Sequence, residues 1–418
     1  MHAVLVSVGT DGDIFPYVGL GAALQTRGHS VTLVASEHYE PLATRHGFAF
    51  ASLVSAAENR ELFEHPDFWN PLKTAPLMAR WGVRFIRRQY DLLSKLAAPE
   101  TVLVANPGVL AAALVHEKFG VLMANLILQP WMIPSSIAPP IIPGFSFLSR
   151  APRPVWKLFA RGLDVVGDIL MGRELNGLRA ELGLKPMRRI LSNWLSRQLV
   201  IGMFPDWFGP PQADWPAQIR LTGFPMFDGV SDQALALEIL KFCETGPPPV
   251  AFTFGTGMAH PAGLFQEALE ACAILGRRGI LLTKYRNQLP DALPPTVLHC
   301  NFAPFQRLFP HCAAVVHHGG IGTVAKALAA GIPQLIHPQC FDQIDNGMRI
   351  KRLGTGDCLG AGPSSGKRIA TALTVLMTEE VRTRCRALST RFGEVDAFAT
   401  SAGLLERLAA DRATTSSA

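Results

Sequence analysis

The sequence predicts an α/β protein of two domains, each a parallel sheet wrapped by helices. Three observations carry this. The chain has 418 residues, too many for one ordinary core and enough for two of roughly 200. Apolar strand-like runs alternate with helical stretches through both halves, the pattern of a parallel sheet buried on both faces. A Pro- and Trp-rich stretch separates the halves.

In the first half, HAVLVSVG (2–9) reads as a strand ending in a glycine turn, and a helix follows from about Pro16 to Arg27. SVTLVAS (30–36) and VLVANP (102–107) are further strands. A helix over 109–120 stops at Gly120 and leads into a strand over 121–130. The separating stretch, FPDWFGPPQADWPAQIRLTGFPMFDG (204–229), holds five prolines and two tryptophans, a composition that resists helix and suits an ordered connector. The second half repeats the pattern with strands over 249–257, 279–284, 296–302, 313–319 and 333–338. The Ser/Thr-rich end from Thr414 is expected to fray.

Composition narrows the class. With 48% apolar and 17% charged residues, the chain has enough apolar material for large cores and is not a disordered sequence. Its seven cysteines, Cys243 to Cys385, form no CxxC pair and are odd in number, so they read as reduced core thiols of a cytoplasmic protein. The N-terminus has no basic segment ahead of its short apolar run, as a signal peptide would. The longest apolar region, Val121 to Leu148, is broken by Pro130, Pro134, Pro139, Pro140 and Pro143, so no segment reads as membrane-spanning and the protein is expected to be soluble. A net charge of +6 permits an anionic partner. No zinc finger, RNP motif or dense Lys/Arg cluster supports nucleic acid; a nucleotide ligand or an anionic membrane surface fits equally well.

In open parallel sheets, ligands bind at the carboxyl ends of the strands, where helix N-termini present unpaired N–H groups. Four such loops stand out in the second half. Gly255-Thr256-Gly257 could let backbone amides approach a phosphate, or be only a tight turn. Phe302-Ala303-Pro304 could present an aromatic face to a base, although Phe302 could equally be core. His317 and His318 precede glycines 319, 320 and 322, and Thr323 opens a helix; a histidine there can donate to a phosphate. Asp342-Gln343 could hydrogen-bond sugar hydroxyls. The run Gly320-Ile-Gly322-Thr-Val-Ala325 also fits a dinucleotide fingerprint, with Asp342 about 20 residues on. Such a fingerprint should open its domain, however, and this one follows the fourth strand.

The order Gly-Thr, F-A-P, HHGGxGT, P-x-x-x-D-Q-x-x-N over 249–346 resembles the donor half of family 1 glycosyltransferases of the GT-B fold. The first loop, GTDGDIFPYVGLG (9–21), is similar to that family's first loop. The resemblance implies two Rossmann-like domains: an acceptor-binding domain over 1–208, a connector over 209–232 and a donor-binding domain over 233–395. A C-terminal helix over 396–418 would pack back on the first. It implies that Phe302 stacks on the base, that His317, Thr323, Gly255 and Thr256 hold the diphosphate, that Asp342 and Gln343 touch the sugar, and that Gly12, Ala303, Gly320 and Gly322 also belong to the donor site. Asp13 would be the general base. From the residues alone, Asp13 could instead cap the helix beginning near Pro16. The resemblance implies a nucleotide-sugar co-substrate and no metal or other cofactor.

Many family members carry a glutamate eight residues after the first histidine, on the ribose hydroxyls; here that position is Ala325. Its absence favours a dTDP-sugar over a UDP-sugar. The connector and both glycine loops are also similar to those of bacterial rhamnosyltransferases of rhamnolipid synthesis. That implies dTDP-L-rhamnose as donor and a hydroxyalkanoyloxy-alkanoic acid as acceptor, with UDP-glucose and a sterol or secondary metabolite as the alternative. The stretch 127–148 could line a lipid pocket through Trp131 and Phe145, or be ordinary loop. Arg80, Arg84, Arg87 and Arg88 share one helical face with Trp81, Phe85 and Ile86 nearby, which could meet anionic headgroups on the cytoplasmic side of the inner membrane or be a solvated face.

Overall fold

The structure is a computed structural model that describes residues 1–229, 233–255, 262–360 and 364–416. The chain divides into two compact units, one comprising Met1–Pro225 with the C-terminal segment from Val395, the other Met226–Glu394.

The first unit is a seven-stranded sheet, all parallel: β1 (His2–Val6), β2 (Ser30–Ser36), β3 (Ala49–Val54), β4 (Thr101–Ala105), β5 (Leu122–Ile127), β6 (Leu199–Gly202) and β7 (Ile219–Leu221), in the order 3-2-1-4-5-6-7. Its central strands are buried along their length, as their unbroken apolar runs require. Helices α1 (Asp11–Thr26), α2 (Glu40–Arg45), α3 (Ala56–Phe63), α4 (Thr74–Arg84), α5 (Ile86–Ser94), α6 (Leu110–Phe119) and α7 (Arg153–Glu181) connect them.

Three expectations are revised here. Helix α1 begins at Asp11, five residues ahead of Pro16, because Thr10 takes the extended N-cap conformation and Asp13 closes the first turn onto it. The stretch 209–232 is not simply a connector. Its Ile219–Leu221 pairs with β6 as an edge strand, where prolines on either side are tolerated, and Phe208 and Phe224 pack edge-on at 5.1 Å. The arginine face is split over two helices at Phe85. Arg84 pairs with Glu61 at 2.8 Å, Arg88 with Glu58 at 2.7 Å and Arg87 with Glu181, while Trp81, Phe85 and Ile86 are buried. Most of that charge is already neutralised inside the fold.

The second unit is a six-stranded parallel sheet: β8 (Val250–Thr253), β9 (Gly279–Leu282), β10 (Val297–Cys300), β11 (Ala314–His317), β12 (Gln334–Ile336) and β13 (Gly356–Cys358), in the order 10-9-8-11-12-13. Helices α8 (Leu237–Glu244), α9 (Ala262–Leu275), α10 (Phe305–Leu308), α11 (Ile321–Ala329), α12 (Gln343–Leu353), α13 (Gly366–Leu376) and α14 (Glu379–Ser389) cover it. Phe252, Phe265 and Leu373 belong to one apolar layer, and Ile280, Leu308 and Val315 to another. All seven cysteines are unpaired and six are buried.

The last helix, α15 (Ala397–Ser416), belongs to the first unit. Phe398 lies over Gly19 of α1, where a Cβ would come within 2.4 Å of the ring. Arg27 and His29 both meet Glu406, at 2.6 and 2.9 Å. Among the described residues no helix is long and apolar enough to cross a membrane. In each sheet the strand order reverses beside the first strand, between β1 and β4 and between β8 and β11, and such switch points are where open sheets bind ligands.

Candidate active site

The loop after β1 is built around one carboxylate. Asp13 Oδ2 accepts from the Thr10 backbone N–H at 2.9 Å and from Thr10 Oγ1 at 3.2 Å. Ser7 Oγ donates to the Asp13 carbonyl at 3.0 Å. Gly9 has φ +135°, and a Cβ on it would sit 2.2 Å from Asp13 Oδ2, so only glycine permits this approach. Burial pushes the Asp13 carboxyl up to about 6; the Thr10 bonds oppose this and nearby Asp11 adds to it. Oδ1 has no hydrogen bond among the described residues. Gly12 is exposed one residue ahead. The capping role and an available carboxylate oxygen therefore coexist in one side chain.

In the second unit the two histidines separate. His317 closes β11 and is fully buried; its Nε2 bonds Gln334 Oε1 at 2.9 Å and its Nδ1 accepts from the Gly319 N–H at 3.2 Å. Burial lowers its pKa to about 3. Both nitrogens are committed, so the expectation that His317 holds a diphosphate is corrected. His318 is the residue that reaches the loops. Its imidazole lies between Gly255 and Gly320, 3.0 Å from where a Gly255 Cβ would be and 2.6 Å from a Gly320 Cβ. Burial lowers it to about 4, opposed by its hydrogen bond to the Thr253 carbonyl, so at neutral pH it is an uncharged imidazole at the switch point, with Nδ1 unpartnered among the described residues.

Around it, Gly320 is the N-cap of α11, and Gly322 and Thr323 lie in that helix's first turn, Thr323 buried. Phe302, at the end of β10, is 54% exposed, which removes the core reading for it, while Ala303 behind it is buried. Thr256 lies outside the described residues. Gln343 is buried, and its Oε1 accepts from the N–H groups of Gln339 and Cys340 at 2.7 and 3.0 Å. That oxygen shapes the loop and is not offered to a sugar. Asp342 stays partly exposed and accepts from Asn346 Nδ2 at 2.6 Å. Among the acceptor-side residues, Trp131 is partly exposed and donates to the Ile141 carbonyl at 3.1 Å. Phe145 is exposed and lies 5.3 Å from the Phe159 ring.

Two functional candidates escaped sequence reasoning. Asn346, fully buried, also donates to the Gly319 carbonyl at 2.9 Å and so ties the glycine loop to Asp342. Lys326 is 8% exposed, and its Nζ lies 3.9 Å from the Cβ position of Gly322. Lysine side chains on a helix lean toward its N-terminus, which brings this cation back to the loop. Burial lowers its pKa, and Asp228 opposes that. Ala325 is buried in the helix; counted from His318, the eighth residue is Lys326.

Two Rossmann-like parallel-sheet units of this kind make up the GT-B fold. Solved structures agree. The glycosyltransferase of kitacinnamycin superposes with a TM-score of 0.74 at 18% identity, covering 97% of this chain and 98% of that one. The spinosyn rhamnosyltransferase SpnG, complexed with thymidine diphosphate, superposes at 0.69 and 18%, covering 97% and 100%. A family profile described as the glycosyltransferase family 28 N-terminal domain matches residues 3–135, and one described as the erythromycin biosynthesis protein CIII-like C-terminal domain matches 277–395. Glycosyltransferase GtfE of Amycolatopsis orientalis is 30% identical over 93% of each chain. The O-mycaminosyltylonolide 6-deoxyallosyltransferase of Streptomyces fradiae is 28% identical, over 85% of this chain and 84% of that one. A sterol 3-beta-glucosyltransferase of Neosartorya fischeri is 26% identical over 86% of this chain but only 26% of its own length. The chain belongs to this family of GT-B glycosyltransferases. None of these relatives is named for a rhamnolipid, so that finer resemblance rests on the loop and connector motifs alone.

Proposed function

We propose that the protein is an inverting, metal-independent rhamnosyltransferase that moves L-rhamnose from dTDP-L-rhamnose to the hydroxyl of a lipid such as a hydroxyalkanoyloxy-alkanoic acid. The observation that carries the catalytic part is Asp13, a carboxylate with an unbonded oxygen whose pKa is raised to about 6 by burial, poised for base chemistry near neutral pH. The acceptor O–H bond breaks and its proton goes to Asp13. The acceptor oxygen bonds the anomeric carbon from the face opposite the nucleotide, and the bond from that carbon to the diphosphate oxygen breaks. The departing dTDP is held by His318 and the N-terminal turn of α11, with Phe302 against the base and Asp342 near the sugar.

The dTDP preference is supported by Ala325 and Lys326, neither of which offers a carboxylate to grip a ribose 2′-hydroxyl. A lipid acceptor is supported by the motif likeness and by the apolar stretch around Trp131 and Phe145. Calorimetric titration with dTDP and then UDP, at equal salt and without metal, tests the donor; tighter dTDP binding is expected. Preference for UDP would overturn the rhamnose reading and favour glucosyl transfer to a sterol, which the likeness to sterol 3-beta-glucosyltransferases supports.

A further inference from the structure

Helix α7 is apolar on two opposite faces. One is ordinary: Trp156, Gly167, Met171, Leu175 and Leu178 are buried against the first unit. The other faces water. Val155, Leu158, Val165, Val166 and Ile169 fall on one stripe of the helix, with Leu158 70% and Ile169 73% exposed. Along the helix the stripe is about 21 Å long. The turn before α7 extends it with Phe147, 69% exposed, and with Phe145, whose ring meets Phe159 of the same helix. A surface helix buries one stripe and exposes polar residues on the other; a run of bulky apolar residues left on the outer side marks an interaction surface.

Its charge says which surface. Between Glu117 and Asp164 the sequence contains no acidic residue. Arg150, Arg153, Lys157 and Arg161 are all exposed, and none forms an ion pair among the described residues. The first acids of α7 turn inward: Asp164 accepts from the Ser192 N–H and hydroxyl at 3.0 and 2.7 Å, and Asp168 from the Arg189 and Ile190 N–H groups at 2.8 and 2.9 Å. Cations thus flank the apolar stripe with no acid to offset them. A second copy of the chain would set like charges against each other across a twofold contact, whereas an anionic bilayer offers headgroups for the cations and acyl chains for the leucine, isoleucine and phenylalanine side chains.

We propose that the outer face of α7, with the Phe145–Arg150 turn, docks the protein on an anionic phospholipid bilayer. This replaces the arginine face of α4 and α5, whose ion pairs are internal, as the membrane contact. It does not depend on which acceptor the enzyme uses.

The test is co-sedimentation of the full-length protein with phosphatidylcholine vesicles, with and without phosphatidylglycerol. Binding is expected only with phosphatidylglycerol, and to weaken as salt is added. Leu158→Ser/Ile169→Ser should reduce it about tenfold or more by removing the inserted apolar area. Arg153→Glu/Lys157→Glu should do the same through charge, and both variants, altered only at exposed positions, should keep the wild-type circular dichroism and melting curve. Three results would overturn the proposal: no binding to the anionic vesicles, equal binding by wild type and both variants, or a wild-type dimer that both variants convert to monomer while vesicles bind none of them.

Discussion

In the proposed mechanism Asp13 does two jobs that pull in opposite directions. Its Oδ2 closes the first turn of α1, while burial disfavours the very charge a base needs and sets its pKa at about 6. Because only the carboxylate can take a proton, kcat/KM should rise with pH through about 6 and level off above it. Asp13→Asn keeps the shape and loses the proton acceptor. Turnover should fall about 10²–10⁴-fold, with the melting temperature unchanged or higher, since no charge is then held out of water. Turnover within about tenfold of wild type would place the base elsewhere. The adjacent histidines should part company in the same way. His318→Ala is expected to weaken dTDP binding about tenfold, as loss of an imidazole that takes up a proton beside a phosphate does, with little effect on folding. His317→Ala, which strips the Gln334 carboxamide and the Gly319 N–H of their partner, should instead cost about 1–3 kcal/mol of stability. Calorimetric titration and thermal melts of the two variants separate these outcomes.

At the scale of elements, glycines decide where helices can touch. An alanine normally stabilises a helix by up to about 1 kcal/mol over glycine. At Gly19 that sign should reverse, because the new methyl would lie 2.4–2.9 Å from the Phe398 ring and push α15 off α1, at about 1–3 kcal/mol. Gly82 of α4 has open space around it, so Gly82→Ala is the control that should raise the melting temperature. If Gly19→Ala melted no lower than wild type, α15 would not be packed as described. The elements that sequence reading located are those with pattern contrast: the cores of β1, β2, β4, β5 and β8 to β12 are apolar runs closed by glycine, proline or a polar residue. It missed β13, whose Gly-Asp-Cys has no apolar run, β7, hidden among prolines, β6, only four residues long, and β3, whose first four residues are not buried. It did not find α7, whose apolar residues lie on both faces and blur the 3.6-residue signal. The site follows the same logic. Asp13 and Phe302 stand out in the sequence because each follows closely on a strand, Asp13 in the first turn of α1 and Phe302 in the loop after β10. His317 was assigned in place of His318 because adjacent residues at a strand end point to opposite sides, and sequence alone does not say which side is core. Asn346 and Lys326 sit within helices and return to the loops only through folding.

For the whole molecule, mild acid should strain the two units unequally. His317 and His318 have folded pKa values near 3 and 4, below the 6.5 of an ordinary histidine, so between pH 6.5 and 4 the unfolded chain binds protons the folded one refuses. Stability from these groups is present above 6.5 and lost as pH falls. At pH 5, His317 alone should account for about 2 kcal/mol, and His318 for a similar amount. His337, also lowered by burial, acts in the same sense and in the same unit. In the first unit Asp13 does the reverse: its folded pKa of about 6 lies above the 3.8 of an ordinary aspartate, so the folded state gains protons, and stability, as pH falls through 6. The lowered His2 and His46 of that unit oppose this, but both are partly exposed. The ion-paired Glu58 and Glu406, held at about 2, lose their contribution only below the 4.5 of an ordinary glutamate, outside the window. Scanning calorimetry from pH 7.5 to 5 should therefore show the Met226–Glu394 unit unfolding at progressively lower temperature while the first unit moves little. Adding dTDP should raise the lower transition and not the upper, because a ligand stabilises the unit that binds it. A single transition that shifts as one at every pH, or a dTDP effect on the upper transition, would mean the burial of the two histidines does not govern acid stability.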